Sequence, residues 1–446
     1  MSLNDHAIKK CSDAVELLLI EVLRFNKPTD KIIQHFFKSN RYGSKERKLI
    51  RDAIFLVVKH RIRLNNLLNE HFKEKESKKS DRLLARVAVF VSLNGKDRKI
   101  RHLDVLENKI VNEIAAKIFS SDHLSLSSTA AEIARHFSFP EWIVEKLMTR
   151  YGTQFSISIL ESTLSFDYIF FRVNTLKSSA RRIFKAIEEQ RIKISKSDLL
   201  PECVYVHKSC RPETLLEYKQ GKFEIQDLGS QLVSRLMAPT QHSVVVDFCC
   251  GSGGKALALG ALMKNSGRIY AVDISKKKLE RLKQRVKRSG LTNIFPILIQ
   301  TLNDENFLKN LVGKANYVLV DVPCSGLGTL RRNPDLKWRI DLAGLNYLVD
   351  QQKQILKVAA SLCKLKGYLV YSTCSFLAEE NEQVIYDFLE KKPNFKACDI
   401  KKVFHSQGIQ FDDEDKLFCA ASGTLNLHTH LTGSDGFFMA RVQRSI

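Results

Sequence analysis

The chain of 446 residues has no apolar run approaching the roughly 20 residues that a membrane-spanning helix needs. The longest candidates, Ala53–Val58 and Leu83–Leu93, are short, and Arg86 interrupts the second. No two of the ten cysteines stand in a Cys-x-x-Cys pair, so the usual spacing for a zinc site or a redox dithiol is missing and no metal is expected. Internal repeats and low-complexity tracts are absent, which excludes solenoids and biased linkers. Met1–Asp5 leads straight into a polar amphipathic segment rather than a secretory leader. The expectation is a soluble, reducing, cytoplasmic setting with no membrane partner, where cysteines pack or catalyse instead of forming disulfides. A monomer is assumed. Acidic residues are also scarce: 49 Asp and Glu face 71 Lys and Arg, for a net charge of +22 and a pI near 9.5. Such a balance favours a polyanionic partner such as nucleic acid.

The length predicts roughly two to four domains. Residues 1–130 read as all-helical, with apolar residues at helical spacing in Ala14–Leu23 and Leu49–Val57 and breakers at Asn26-Lys27-Pro28 and Asn40–Gly43. Residues 1–120 carry an excess of 11 basic over acidic residues, half of the net charge. Basic clusters fall at Arg41, Lys45, Arg47, Lys48 and Arg51 and at Lys73, Lys75, Lys78 and Lys79, where solvated helix faces are the competing explanation. Residues 131–235 read as linker helices followed by a small α+β module, with strands at Tyr168–Val173, Val204–His207 and after Gly221, and a helix at Ser178–Glu189. Residues 236–446 alternate strands and helices. The strands Val244–Phe248, Arg268–Val272, Ile294–Ile299, Tyr317–Val320 and Tyr368–Tyr371 predict an α/β, Rossmann-like doubly wound parallel sheet, closed by a hairpin that includes Phe437–Val442.

Val244–Phe248 runs into Cys249-Cys250-Gly251-Ser252-Gly253-Gly254-Lys255 and then a helix. Glycines at such a turn let the backbone approach a ligand. Asp273 ends the next strand, where an acid can bind ribose hydroxyls, and Asp321 ends a later one at the same sheet edge. The order Gly-Ser-Gly-Gly-Lys fits a dinucleotide fingerprint poorly, so a methyl donor of the S-adenosylmethionine type is favoured over a nicotinamide dinucleotide.

Cys324 and Cys374 each follow a strand end over this edge. Thiolates attack electrophilic carbons. A thiolate adding to carbon 6 of a pyrimidine makes carbon 5 nucleophilic, and that carbon can accept a methyl group before the thiol is eliminated. The chemistry needs a nucleophile, an acid near the ring and a base for the carbon 5 proton, and Cys374, Asp321 and Cys324 are candidates for these tasks. The remaining cysteines, Cys11, Cys203, Cys210, Cys363, Cys398 and Cys419, read as packing residues, and Cys249 and Cys250 pack around the cofactor turn.

Asp321-Val322-Pro323-Cys324-Ser325-Gly326, continuing to Arg331-Arg332-Asn333-Pro334-Asp335 and Trp338, resembles the Nop/Sun family of RNA cytosine-5 methyltransferases. So do Tyr371–Ser375 with Glu379-Glu380-Asn381-Glu382, the segment Phe223–Asp227 with Gly229-Ser230-Gln231, and Asp435-Gly436-Phe437-Phe438. The N-terminal helices are similar to a NusB-like RNA-binding domain. The resemblance implies an enzyme that methylates carbon 5 of a cytosine in RNA, with 16S ribosomal RNA of the small subunit as the expected partner. Cys374 would be the nucleophile on carbon 6, Cys324 would assist proton removal or release, and Asp321 would sit near the cytosine and the methionine end of the cofactor. Cys249–Lys255 would wrap the methionine part of S-adenosylmethionine, Asp273 would hold its ribose, and Lys255 either approaches the substrate or stays solvated. Two departures stand out. The family has Cys-Ala-Ala-Pro-Gly-Gly-Lys at the cofactor turn, and losing its proline makes the turn more flexible. Where the family places an adenine-binding Asp, this chain has Leu302, followed by Asn303 and Asp304; Asn303 is the candidate. The competing reading is a non-catalytic RNA-binding assembly factor with a relic methyltransferase domain, and a nicotinamide-dependent thiol dehydrogenase ranks third.

Overall fold

The computed structural model describes residues 3–70, 77–93, 105–119, 124–165, 168–302, 304, 309–419 and 423–445. The chain divides into two compact units, Met1–Leu164 with Leu330–Asp341, and Ser165–Thr329 with Leu342–Ile446. The cluster Lys73–Lys79 named above lies outside the residues whose side chains are described. Among the described residues no helix is long and apolar enough to cross a membrane.

The first unit is helical: α1 (Asp5–Val22), α2 (Thr29–Ser39), α3 (Ser44–Asn69), α4 (Ser77–Ser92), α5 (Val105–Lys117), α6 (Ala130–Phe137), α7 (Glu141–Tyr151) and α8 (Thr153–Ser162). The Asn4 side chain caps α1 by accepting the Ala7 amide. Ile8, Cys11, Val15, Leu18 and Val22 then face the core at helical spacing. Leu17 and Ile20, from the same apolar run, point to solvent at 63% and 61% exposure. The boundary expected at 130/131 falls inside this unit, because α6, α7 and α8 cluster with the helices before them.

α3 is broken at His60 (φ −114°, ψ 25°). In a straight helix Val58 O and Lys59 O would accept the amides of residues 62 and 63. Here Val58 O accepts the Trp338 indole N–H at 2.8 Å and Lys59 O accepts Lys337 Nζ at 3.0 Å. The displaced Arg63 amide donates to Ser138 Oγ at 3.0 Å. Side chains inserted into the ladder therefore account for the kink. They come from the short helix Leu336–Arg339, some 280 residues further along the chain.

Burial pushes the His60 imidazole down to about 3, with the Lys337, Lys59 and Arg63 charges adding to it. The folded pKa lies below the ordinary 6.5, so the unfolded state binds the extra proton. This contribution is intact above 6.5 and is lost on acidification at about 1.4 kcal/mol per pH unit, down toward about 3. Denaturant unfolding between pH 7 and 5 should show this slope, and His60→Gln should flatten it relative to the parent.

The second unit holds two sheets. The smaller is antiparallel in the order β2-β3-β1-β4, built from β1 (Tyr168–Val173), β2 (Ile194–Lys196), β3 (Cys203–His207) and β4 (Phe223–Ile225). α9 (Ala180–Glu188) supplies Ile183 and Ile187 to a core with Phe171, Val204 and Phe223. The opposite face supplies Phe170 and Cys203 to the core of the larger sheet. After the short α10 (Leu216–Lys219), Gly221 turns the chain at φ +70°; a Cβ there would lie 2.1 Å from Arg288 O.

The larger sheet follows α11 (Leu228–Met237). Its parallel strands β5 (Val244–Phe248), β6 (Arg268–Asp273), β7 (Ile294–Leu298), β8 (Ala315–Asp321) and β9 (Cys363–Thr373) lie in the order β7-β6-β5-β8-β9. β10 (Phe395–Ala397), β11 (Phe418–Cys419) and β12 (Thr424–Leu427) precede β13 (Phe437–Arg444), which runs antiparallel between β9 and β12 and also pairs β10. α12 (Gly254–Leu262), α13 (Lys276–Ser289), α14 (Leu342–Leu362) and α15 (Glu382–Lys391) flank the strands. The Rossmann-like expectation holds. Strand order reverses between β5 and β8, which places the ligand crevice outside the carboxyl ends of β5, β6, β8 and β9.

Candidate active site

Four strand ends deliver the groups of interest to that crevice: Asp247 from β5, Asp273 from β6, Asp321 from β8 and Cys374 just past β9. The turn after β5 alternates through the left-handed region at Cys249 (φ 71°), Gly251 (φ 58°) and Gly253 (φ 80°). A Cβ on Gly253 would come within 2.1 Å of Leu282 Cδ1, whereas one on Gly251 would meet nothing within 4 Å. A side chain at Gly253 would thus be strained by its positive φ and would displace Leu282, and Gly251 leaves an open approach to the backbone. The Gly251 amide donates to Asp273 Oδ2 and the Ser275 amide to Asp273 Oδ1, both at 2.8 Å. Each Asp273 oxygen keeps a lone pair for a hydroxyl donor. Asp247 was not among the residues singled out from sequence. It is 1% exposed, and neither carboxylate oxygen has a hydrogen-bond partner among the described residues. Burial, with the Asp321 charge behind it, raises it to about 7 against the pull of Lys255. Its place at the end of an apolar strand was the available signal. An orphaned buried acid, an open glycine and a half-engaged ribose acid fit a nucleoside cofactor with a cationic end.

Burial raises the Cys249 and Cys250 thiols well above the usual range, helped by neighbouring carboxylates that include Asp273 and Asp247. Burial likewise raises Cys11 to about 11 and Cys363 to about 12. All four stay protonated, as packing residues should. Ser252 O accepts Arg285 Nη1 at 2.8 Å, which fixes the turn to α13. Leu302 packs against the core around Val246 and Phe248, and Asn303 lies outside the described residues.

The two thiols singled out from sequence are in contact, with Cys324 Sγ 3.4 Å from Cys374 Sγ. Gly328 N donates to Cys374 O and Gly436 N to Gly328 O, each at 2.8 Å. A Cβ on Gly328 would sit 2.1 Å from Gly436 O, so this three-way clasp requires glycine there. The Asp435 amide reaches Asp227, which also caps α11 through the Gly229 amide. Four segments far apart in sequence therefore converge on the thiols. The hydrogen bond to Cys374, then burial and the Cys374 and Glu380 charges, push Cys324 well above an ordinary thiol.

Lys255 is 11% exposed at its side chain, and its Nζ lies 2.7 Å from Asp321 Oδ2. Burial opposes its charge, but the Asp321 carboxylate outweighs this and the ammonium is raised above its ordinary value. The solvated alternative for Lys255 is thereby excluded. Asp321 Oδ1 accepts Ser372 Oγ at 2.8 Å. Among the described residues no cluster of His, Cys, Asp or Glu could hold a metal ion.

A doubly wound sheet with these groups at its switch point defines a Rossmann-like methyltransferase carrying a thiol pair. Residues 234–443 match the family model described as 16S rRNA methyltransferase RsmB/F, and residues 139–213 match a ferredoxin-like domain of RsmF/B-like methyltransferases. The probable ribosomal RNA small subunit methyltransferase B of Synechocystis is 30% identical over 321 residues, covering 72% of this chain and 70% of that protein. Its Bacillus subtilis namesake is 26% identical over 437 residues, covering 93% and 94%. Among solved structures, PH0851 aligns with a TM-score of 0.76 at 24% identity over 99% of both chains, and NSun6 from Pyrococcus horikoshii with 0.61 at 20% over 69% and 99%. The chain belongs to the RsmB/F family of Nop/Sun-like RNA cytosine-5 methyltransferases. It methylates carbon 5 of cytosine in RNA with S-adenosylmethionine, through the Cys324–Cys374 pair.

Proposed function

We propose that Cys374 attacks the base and Cys324 completes the reaction, on an unpaired or locally opened cytosine of small-subunit ribosomal RNA, in the cytoplasm. The observation that carries this division is the 3.4 Å sulfur contact, in which the neighbouring sulfur, burial and the Glu380 charge together raise the Cys324 thiol. The names of the two methyltransferase B relatives support the choice of RNA.

The target base must leave its stack for a thiolate to reach carbon 6. Cys374 Sγ bonds to carbon 6 and the displaced charge spreads onto the ring. Lys255 supplies a held proton and positive charge at Nζ, and Asp321 orients it. The segment Cys249–Lys255, with Asp321 beside it, would hold the methionine part of the cofactor, Asp273 the ribose hydroxyls, and Asp247 the ammonium group; Asn303 is proposed for the adenine. Bound S-adenosylmethionine supplies the methyl group that carbon 5 receives. Cys324, in its thiolate form, then takes the carbon 5 proton. The carbon 5–carbon 6 double bond re-forms and the bond to Cys374 breaks, which returns the thiolate.

Asp273→Ala should weaken S-adenosylmethionine binding about 10- to 100-fold, read by calorimetric titration, and unchanged affinity would remove Asp273 from the pocket. For the substrate, bisulfite sequencing of total RNA from cells lacking this protein should show one small-subunit cytosine losing its mark. A mark lost only from another RNA would overturn that choice.

A further inference from the structure

Glu380 is wholly buried at the end of the excursion that begins with Cys374. Its carboxylate meets neutral donors: Oε1 accepts the Ser325 amide at 2.7 Å and Gln352 Nε2 at 3.0 Å, and Oε2 accepts Ser325 Oγ at 2.5 Å. Gln352, equally buried on α14, also donates to Pro323 O at 3.0 Å. The peptide on each side of Cys324 is thus held, one side by Glu380 directly and the other through Gln352. Tyr371 at the end of β9 donates to Glu380 O at 2.6 Å, which fixes the brace to the strand that delivers Cys374. Next along the chain, Asn381 binds both flanks of Cys374, accepting Thr373 Oγ1 at 2.5 Å and donating to Ser375 O at 3.0 Å.

A buried carboxylate is a costly way to hold a loop, since neutral groups could accept the same three donors. What it adds is negative charge one residue from a reacting sulfur. We infer that Glu380 is a positioning residue for Cys324, fixing its loop and setting the protonation at which it acts in product release. The inference rests on the assignment of Cys324 to release. The Glu380 charge is among the groups that keep the Cys324 proton in place, so removing it favours the thiolate. In release that thiolate takes the carbon 5 proton, the carbon–hydrogen electron pair forms the ring double bond, and the sulfur of Cys374 leaves with the electrons of its bond to carbon 6. The thiol proton of Cys324 passes to water beforehand, so release should rise with pH through the Cys324 titration.

The test is single-turnover release of methylated product from an unmodified small-subunit ribosomal RNA transcript, followed across pH. Glu380→Gln keeps the size of the side chain and removes the charge, and it should move the midpoint of release about one unit lower in pH. A residue that only props up the fold would lower the rate at every pH without moving the midpoint, and an unmoved midpoint overturns the inference. Ser325→Ala keeps the charge and removes the hydroxyl contacts to Glu380, Ser375 and the Leu327 amide; it should slow release about tenfold at the parental midpoint, and an unchanged rate would count against the brace. Cys324→Ala run alongside separates the two levels. If it builds up no covalent RNA adduct, the assignment of Cys324 fails whatever Glu380 does; if it does while Glu380→Gln matches the parent, only the role of Glu380 fails.

Discussion

Cys374→Ala should lower methyl transfer from labelled S-adenosylmethionine to RNA by about 10⁴-fold or more. The size follows from the chemistry: carbon 5 of cytosine is a poor nucleophile until a group adds at carbon 6, and no other group at the site is built to add there. In the variant, burial and the Glu380 charge still raise the Cys324 thiol, and Cys249 and Cys250 are kept as thiols by burial and nearby carboxylates. The substitution trims one half-buried side chain, and the clasp through Gly328 uses the Cys374 backbone, which alanine retains. Cofactor affinity should therefore stay within about twofold of the parent, and that separates lost chemistry from lost fold. Transfer that survives in the variant would remove Cys374 from the mechanism.

Trp338→Ala should cost the helical unit about 2–4 kcal/mol. The indole N–H satisfies Val58 O at the break in α3, its ring lies 5.9 Å from that of Phe25, and the Arg61 guanidinium sits 5.5 Å above it. Alanine leaves a cavity and an unsatisfied carbonyl together. The neighbouring Lys337 makes the site more sensitive. Burial holds its ammonium well below the ordinary lysine range, and its Nζ lies 4.1 Å above the Phe139 ring. Equilibrium denaturation of the full chain should show the loss. A variant as stable as the parent would mean that the inserted helix contributes nothing to the unit it enters.

That insertion also shows where sequence reasoning stopped. Arg331–Trp338 was legible as a family motif attached to the catalytic part, yet its side chains complete the helical unit. Periodicity is a local signal. It located α1 and α3, because each has an apolar face of regular period, and the five parallel strands showed as short apolar runs alternating with helices. It gave no sign of the kink at His60, which is caused by residues some 280 positions away. Leu17 and Ile20 were counted in an apolar stripe that the helix turns outward. The two- to four-residue strands β2, β11 and β12 are too short for a period to register.

The chemistry was more readable than the packing. Cys324, Cys374, Asp321, Asp273 and the glycine turn were each found at a strand end, and β5, β6, β8 and β9 bring them to one edge. Lys255 was open between two fates until its ion pair with Asp321 was seen. Asp247 and Gln352 carried no motif of their own, and their importance lies in what surrounds them: an orphaned carboxylate in one case, a carbonyl held beside a reactive cysteine in the other. The glycine turn lacks the proline expected from the family resemblance, yet it forms with three residues in the left-handed region, two of them glycines.

The thiol pair is tested most directly by denaturing electrophoresis of the full chain after incubation with S-adenosylmethionine and an unmodified small-subunit ribosomal RNA transcript. Cys324→Ala should form the bond to carbon 6 and fail to release it, giving a covalent protein–RNA band that survives denaturation. Cys374→Ala and the double variant should give none. A band from Cys374→Ala, with none from Cys324→Ala, would contradict the assignment and exchange the roles of the two cysteines.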